Sequence, residues 1–262
     1  HHMEAKFFST FFKKYTAKYM LGISAENKRN DGTFKLIKWY MGPVLHREPQ
    51  KPNDMVIVKK IFFRTNSIKN IEMVYTKFNN EPNRPAMITN LAKIKLRNRF
   101  IYNLTNLLAD KGRNILILTS RLFQLNVFYK LLEENPYSKG LVGKYIGGMS
   151  EKELNISSTK QIILGTYEMA REGLDIPELD AIILATPIGD PRQAIYRIIR
   201  KEKEQMKLNP LVFDIIDIQN PNFLARSNKR QAFYEKQEFL YHSFDVSDYT
   251  EDGDNILWND MD

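Results

Sequence analysis

Residues 161–187 read QIILGTYEMAREGLDIPELDAIILATP, and the way this stretch alternates decides the fold. An apolar run at 161–164 closes on Gly165-Thr166. A polar stretch follows, Gly173, Asp175 and Pro177 make a tight turn, and a second apolar run at 181–185 ends on Thr186. Similar short runs recur at 115–118, 145–146 and 211–216, and helical stretches separate most of them. Apolar runs of this length alternating with helices predict an α/β fold, a parallel sheet with helices on both faces. In such sheets a ligand sits beyond the carboxyl ends of the strands. That rule points to Thr119-Ser120, to Gly165-Thr166 and to the loop 186–190.

Working outward, residues 88–111 have the spacing of one amphipathic helix ending near Gly112, and a second helix runs to about Leu132. Breaker clusters stand at 49–54 and 79–85, and residues 55–63 between them alternate like a strand. Residues 66–84 read as an irregular or hairpin-bearing insertion. With Lys69, Lys77 and Arg84 it is either a solvated excursion or a strand-separating wedge. The predicted organisation is therefore 1–50, 51–244 with the insertion near 66–84, and a tail at 245–262.

The tail carries seven acids and no lysine or arginine. Setting those acids aside raises the net charge from +8 to +15 on residues 1–244. The tail reads as a solvated acidic end, a partner-binding segment or a nucleic-acid mimic. The chain has 262 residues, 43% of them hydrophobic and 27% charged, which suits a globular fold with a real core. It has no cysteine, so disulfides, thiolate zinc sites and a cysteine nucleophile are excluded. Its four histidines include no close pair beyond His1-His2, so no metal site is expected within the chain. No apolar run approaches the ~18 residues of a membrane span, and no signal-peptide core is present. The basic balance suggests an intracellular, phosphate-rich partner and no membrane.

Hydroxyls and backbone N–H groups at helix starts suit phosphate oxygens. Thr119-Ser120-Arg121 and Thr166 are candidates, although Ser120 could equally be a helix cap. Gly173 permits close backbone approach, and Asp175 would offer a fixed acceptor to a sugar hydroxyl; an ordinary rigid turn has the same composition. A further helix is predicted to open with Asp190 as N-cap and Pro191 at its first position. At about 100° per residue, Gln193, Arg197 and Arg200 share a narrow stripe, with Ile195, Ile198 and Ile199 opposite. Two fixed guanidiniums suit a transferring phosphoryl group; a plain basic surface helix is the other reading.

These pieces, in this order, resemble the C-terminal half of a superfamily 2 helicase. Residues 115–132 (ILILTSRLFQLNVFYKLL) resemble motif IV, 166–177 motif V, and Gln193-Ala-Ile-Tyr-Arg197-Ile-Ile-Arg200 motif VI. Leu21-Gly-Ile-Ser24-Ala25-Glu26 resembles motif III, and with Arg29-Asn-Asp31-Gly32 and Trp39-Tyr-Met-Gly42-Pro43 it is similar to the XPB/UvsW-like DNA helicase branch. Within that branch the wording is most like the helicases of large cytoplasmic DNA viruses, of the poxvirus transcript-release and asfarvirus type. His1 is either the last residue of a DExH box or, with His2 and Met3, the remnant of an expression tag.

The resemblance implies a RecA-like second motor domain at 51–244, preceded by the end of the first, and an ATP-dependent enzyme. ATP and Mg2+ would be bound mainly by the first motor domain, because this chain lacks GxxxxGK[ST]; alone it is expected to be inactive. It implies Arg197 and Arg200 as arginine fingers, and Gln193, Gly173 and Asp175 near the nucleotide. Ser120, Thr119, Arg121, Gly147, Gly148 and Thr166 would lie on the phosphates of one DNA strand, and Ser24 and Ala25 would couple hydrolysis to movement. The implied partners are DNA, the N-terminal RecA-like domain and the transcription machinery, in host cytoplasm or virion. Two departures stand out: Tyr196 replaces the usual Gly of motif VI and Glu26 the usual Thr of motif III. Tyr196 is expected beside the arginine stripe, where it would stack on adenine or ribose or crowd the site. The departures motivate the alternative of a helicase-derived binding or docking module without hydrolysis.

Overall fold

The computed structural model describes residues 10, 14, 17–23, 34–46, 55–172, 176–198, 208–246 and 249. The chain divides into two compact units, 1–50 and 51–262. In the first, helix α1 (Phe34–Met41) closes where Gly42 N–H donates to Lys38 O.

In the second unit the elements run β1 (Ile57–Phe63), α2 (Ile68–Ile71), α3 (Arg84–Ala92), α4 (Lys95–Asp110), β2 (Ile115–Thr119), α5 (Leu122–Glu134), β3 (Val142–Tyr145) and α6 (Glu151–Ser158). Then follow β4 (Ile162–Thr166), α7 (Tyr167–Glu172), β5 (Ala181–Leu184), α8 (Arg192–Ile195), β6 (Leu211–Asp217), α9 (Pro221–Lys236) and β7 (Leu240–Val246). The seven strands form one sheet in the order β3-β4-β2-β5-β6-β1-β7, and every pairing is parallel. The α/β expectation is met. β2, β4, β5 and β6 are buried at every position, as an apolar run covered on both faces must be.

Alternate residues of these strands feed two cores. Ile115, Ile117, Leu164 and Ile183 meet Phe100, Leu104 and Leu108 of α4 and Phe128 of α5. Leu116, Leu118, Ile163 and Ile182 face the other way, toward Tyr167 and Ala170 of α7, Ile195 of α8 and Tyr234 of α9. The sheet order reverses at β2, with β4 on one side and β5 on the other, which opens a crevice at the end of β2.

Four expectations are corrected. The single helix over 88–111 is two, α3 and α4, broken at Lys93-Ile94. Asn98 reaches back to donate to Ala92 O (2.8 Å), so the end of α3 is satisfied by a side chain of the next helix. The strand placed at 145–146 occupies Val142–Tyr145. Its Gly143 is required because a Cβ there would lie 2.7 Å from Ser157 O, on the backbone at the end of α6. The tail does not begin at 245. Asp245 and Val246 belong to β7, parallel to β1, and Tyr249 is buried edge-on against Phe100 (5.3 Å between ring centroids). Finally, of the helix expected from Asp190-Pro191 through Arg200, the described residues, which end at Ile198, are regular over Arg192–Ile195. Beyond it Arg197 N–H donates to Ala194 O and Ile198 N–H to Ile195 O. These are the i→i+3 bonds of a tighter turn, for which 100° per residue does not hold.

The insertion is a short helix followed by a hairpin. Tyr75 and Pro82 bridge antiparallel, Thr76 N–H donates to Glu81 O, and Asn83 N–H to Val74 O. Ile71, Met73 and Val74 pack on Met87, Ile88 and Phe223. No helix of the described residues is long and apolar enough to cross a membrane.

Candidate functional site at the carboxyl edge of the sheet

The strand ends flagged in the sequence are tied together, and Thr186 is the knot. Ser120 N–H donates to Thr186 Oγ1 (2.9 Å), Thr186 Oγ1–H donates to Ser120 Oγ (3.1 Å), and the Tyr167 hydroxyl donates to Thr186 O (2.7 Å). One threonine thus joins the exits of β2, β4 and β5. The Tyr167 hydroxyl is fully buried, and burial pushes its pKa far up, so it stays a donor.

Ser120 does not cap α5; Arg121 occupies the N-cap position without a side-chain bond, and the serine hydroxyl is turned to Thr186 instead. Thr119 is buried. Its hydroxyl donates to Gln124 Oε1 (2.6 Å) and accepts from Arg121 N–H (3.1 Å). Gln124 Nε2 continues to Asn98 Oδ1. The Thr119 hydroxyl is therefore engaged internally, where it orients the first turn of α5. Arg121 spends Nε on Thr89 Oγ1, Nη1 on Ser120 O and Nη2 on Pro85 O. Thr166 Oγ1 accepts from Met169 N–H at the start of α7 (3.4 Å). Gly147 and Gly148 are exposed after β3, with nothing within 4 Å of either Cβ position. Gly148 has φ +86°, which only glycine adopts without strain.

Arg197 lies against α7. Nε donates to Ala170 O (2.9 Å) and Nη2 to Arg171 O (2.8 Å), both carbonyls of the last turn of that helix. Partial burial lowers its pKa from the usual arginine value, and Tyr145 works in the opposite sense. Motifs V and VI are thereby brought together through Arg197. Gln193 is half-buried on α8. Arg200, Gly173, Asp175, Ser24 and Ala25 lie outside the described residues, as does Glu26.

Tyr196 is a correction. Its hydroxyl donates to Gln237 Oε1 (2.9 Å) and its ring meets Phe233 edge-on, so it faces the end of α9 rather than the arginine side. Asp190 does its predicted capping one step early. Pro191 is the N-cap of α8, and Asp190 Oδ1 accepts from Arg192 N–H (3.1 Å) while the carboxylate grips the Arg192 guanidinium. Burial works to raise the Asp190 carboxyl, but these bonds outweigh it and hold it below the usual aspartate range.

Two buried arginines support the loop from beneath, and sequence reasoning missed both. Arg97 pairs with Asp217 (2.7 Å) and donates Nη1 to Ala185 O (2.6 Å). Arg230 pairs with Asp214 (2.8 Å) and donates Nη1 to Ile188 O. Each sits on the buried stripe of its helix, Arg97 with Phe100, Ile101 and Leu104, and Arg230 with Phe223, Ser227 and Tyr234. A charged residue in register with an apolar stripe was the available signal. Among the described residues no group of three metal-ligating side chains gathers.

Fold and site together define a RecA-like α/β domain, with the exits of β2, β4 and β5 joined at one sheet edge. In sequence the chain is 48% identical over 261 residues, 99% of its length, to a protein of Acanthamoeba polyphaga mimivirus named putative ATP-dependent RNA helicase. It is 26% identical over 248 residues to a protein of the same name from African swine fever virus. It spans about half the length of these curated relatives, 50% and 47%. No family model matches the chain. Among solved structures it shares the fold of T4 UvsW (TM-score 0.57, 21% identity, 74% of this chain and 42% of that one). It likewise shares that of S. cerevisiae Dbp5 bound to RNA and ADP BeF3 (TM-score 0.52, 13% identity, 82% and 49%). The chain is thus similar in sequence to viral proteins named putative ATP-dependent RNA helicases, and in fold to UvsW and Dbp5.

Proposed function

We propose that residues 51–249 are the second motor domain of an ATP-dependent superfamily 2 helicase or translocase, and that residues 1–50 close the first. In this reading ATP and Mg2+ are held mainly by the phosphate-cradling first domain. Arg197 and Arg200 meet the γ-phosphate, Gln193, Gly173 and Asp175 approach the nucleotide, and Ser24 and Ala25 couple hydrolysis to movement. Ser120, Arg121, Gly147, Gly148 and Thr166 hold a strand by its phosphates, with DNA as the strand on the strength of the XPB/UvsW-like motifs.

The observation that carries the reading is the seat of Arg197. It sits at the carboxyl edge of the sheet and is held by two neutral carbonyls rather than by an acid. Each such bond contributes only about 1 kcal/mol net, or up to about 3 kcal/mol when one partner is charged. Transfer of the guanidinium to a phosphate is therefore a small cost against the charge it would meet there. Burial already disfavours its isolated charge, so a γ-phosphate arriving nearby improves its electrostatics.

In a chain carrying the phosphate-cradling domain, Arg197→Ala or Arg200→Ala should lower nucleic-acid-stimulated ATP turnover by ~10³ or more. Turnover within a few-fold of wild type removes the finger role. A second reading, a nucleic-acid-binding or docking module without hydrolysis, is favoured by the turn of Tyr196 toward α9 and by Arg197 being engaged at rest. An intact GxxxxGK[ST] in the first domain with measurable ATP turnover eliminates it.

A further inference from the structure

Helix α9 carries two inward arginines with opposite circumstances. Arg230 has its carboxylate, Asp214, at 2.8 Å. Arg226, one turn earlier, has no hydrogen-bond or ion-pair partner among the described residues. It is half-buried, and its Nη1 lies 3.8 Å from the Cβ position of Gly189, in the loop that leaves β5. The acid next to Gly189, Asp190, is already bound by Arg192. The charges that act on Arg226 are those of Arg84 and Arg230, both positive, and together with burial they lower its pKa.

Arg84 opens α3 and is exposed, also without a partner among the described residues. Its placement is fixed by packing. Met87 and Ile88 of α3 meet Phe223 of α9, and Asn220, the cap of α9, donates to Ile71 O and lies 3.5 Å from Met87 Sδ. The first turns of the two helices are thus held side by side. Pro85, next to Arg84, accepts from Arg121 Nη2 at the exit of β2. A half-buried guanidinium with no acid paired to it among the described residues is costly unless an anion joins it.

We propose that Arg84 and Arg226 form a second phosphate grip for the nucleic-acid strand, between the start of α3, the early turns of α9 and Gly189. The grip rests on the nucleic-acid reading above and extends it. The exits of β3, β4 and β2 carry Gly147-Gly148, Thr166 and Ser120, and β5 and β6 follow in the sheet order. The new grip runs from the β2 exit, where Pro85 meets Arg121, toward the β5–β6 side. It lengthens the track across the sheet edge and adds affinity without sequence preference, since phosphates carry none directly.

The test is anisotropy of fluorescein-labelled 20-nucleotide DNA and RNA on the 262-residue chain, titrated from about 50 to 300 mM salt. Arg84→Gln/Arg226→Gln should weaken binding about tenfold. It should also flatten the salt slope by about 1.4, two phosphates at roughly 0.7 each for a single strand. Thermal stability should be unchanged or higher, since neither side chain gives up a partner; a melting point well below wild type would show that the pair is structural and overturn the grip. Affinity and slope equal to wild type, with Ser120→Ala/Arg121→Gln losing binding, sinks the second grip and leaves the helicase reading standing. A wild-type chain that binds neither strand sinks both. If the double variant loses tripolyphosphate binding while oligonucleotide affinity is kept, the site takes a free phosphate and the strand assignment is wrong.

Discussion

Arg97 has no exposed surface, yet it carries a full charge into the centre of the domain. Its Nε and Nη2 meet both oxygens of Asp217, and Nη1 meets Ala185 O, just before the loop that leads to Arg197. Burial pushes the Asp217 carboxyl up while Arg97 pulls it down, and burial prevails. Removing only the arginine leaves that carboxylate stranded. Arg97→Met should therefore cost about 3–5 kcal/mol in urea denaturation near neutral pH. The sign of the pH effect follows from the stranded acid. In the variant its folded pKa lies above the unfolded one, so stability falls as pH rises between the two values. The deficit against wild type should shrink below the ordinary aspartate range, where the carboxyl is protonated in both states. A deficit that does not change with pH would mean the loss is one of packing alone. At the same scale, the arginine in register with an apolar stripe was legible in the sequence, but its acid, 120 residues away, was not.

Strands and helices tell a more uneven story. The central strands could be read directly because a run buried on both faces leaves a continuous apolar signature. β7 leaves no such signature: it is an edge strand, exposed at five of its seven positions and half-buried at a sixth. Its last two residues, Asp245 and Val246, were read as tail, and only the pairing with β1 makes the segment a strand. The functional boundary therefore lies beyond residue 244. Ending the chain there removes Val246 and Tyr249 from the core, together with the bond from Asn103 Nδ2 to the Tyr249 hydroxyl. A chain ended at 244 should unfold at least about 3 kcal/mol more easily than one ended after 249. Equal stability of the two would place Tyr249 outside the working fold. Motif VI shows the converse limit. Ile195 and Ile198 are buried as the wheel predicts, but the backbone tightens after Ile195, so the angle assigned to Arg197 did not survive.

Across the whole molecule, +15 on residues 1–244 and a row of polar strand ends along one edge suit a phosphate track. Such a track does not by itself distinguish DNA from RNA, because the discriminating 2′-hydroxyl is not a phosphate. The XPB/UvsW-like motifs point to DNA, while the viral relatives carry the name RNA helicase. In a chain carrying the phosphate-cradling domain, ATP turnover should be stimulated by single-stranded DNA at least as strongly as by RNA of equal length. Stimulation by RNA alone reverses the assignment.

The sequence by itself determined the sheet class, the order of the motif segments and the hydroxyls at the strand ends, because apolar period and turn chemistry are local and survive in one dimension. The tertiary structure alone decided that Thr186 knots three strand exits, that the Thr119 hydroxyl is spent internally, that Tyr196 turns to α9, and that Arg226 has no ion-pair partner among the described residues. Each of these depends on which distant side chain arrives with the matching donor, acceptor or charge, and that is settled only when the sheet order brings the strands side by side.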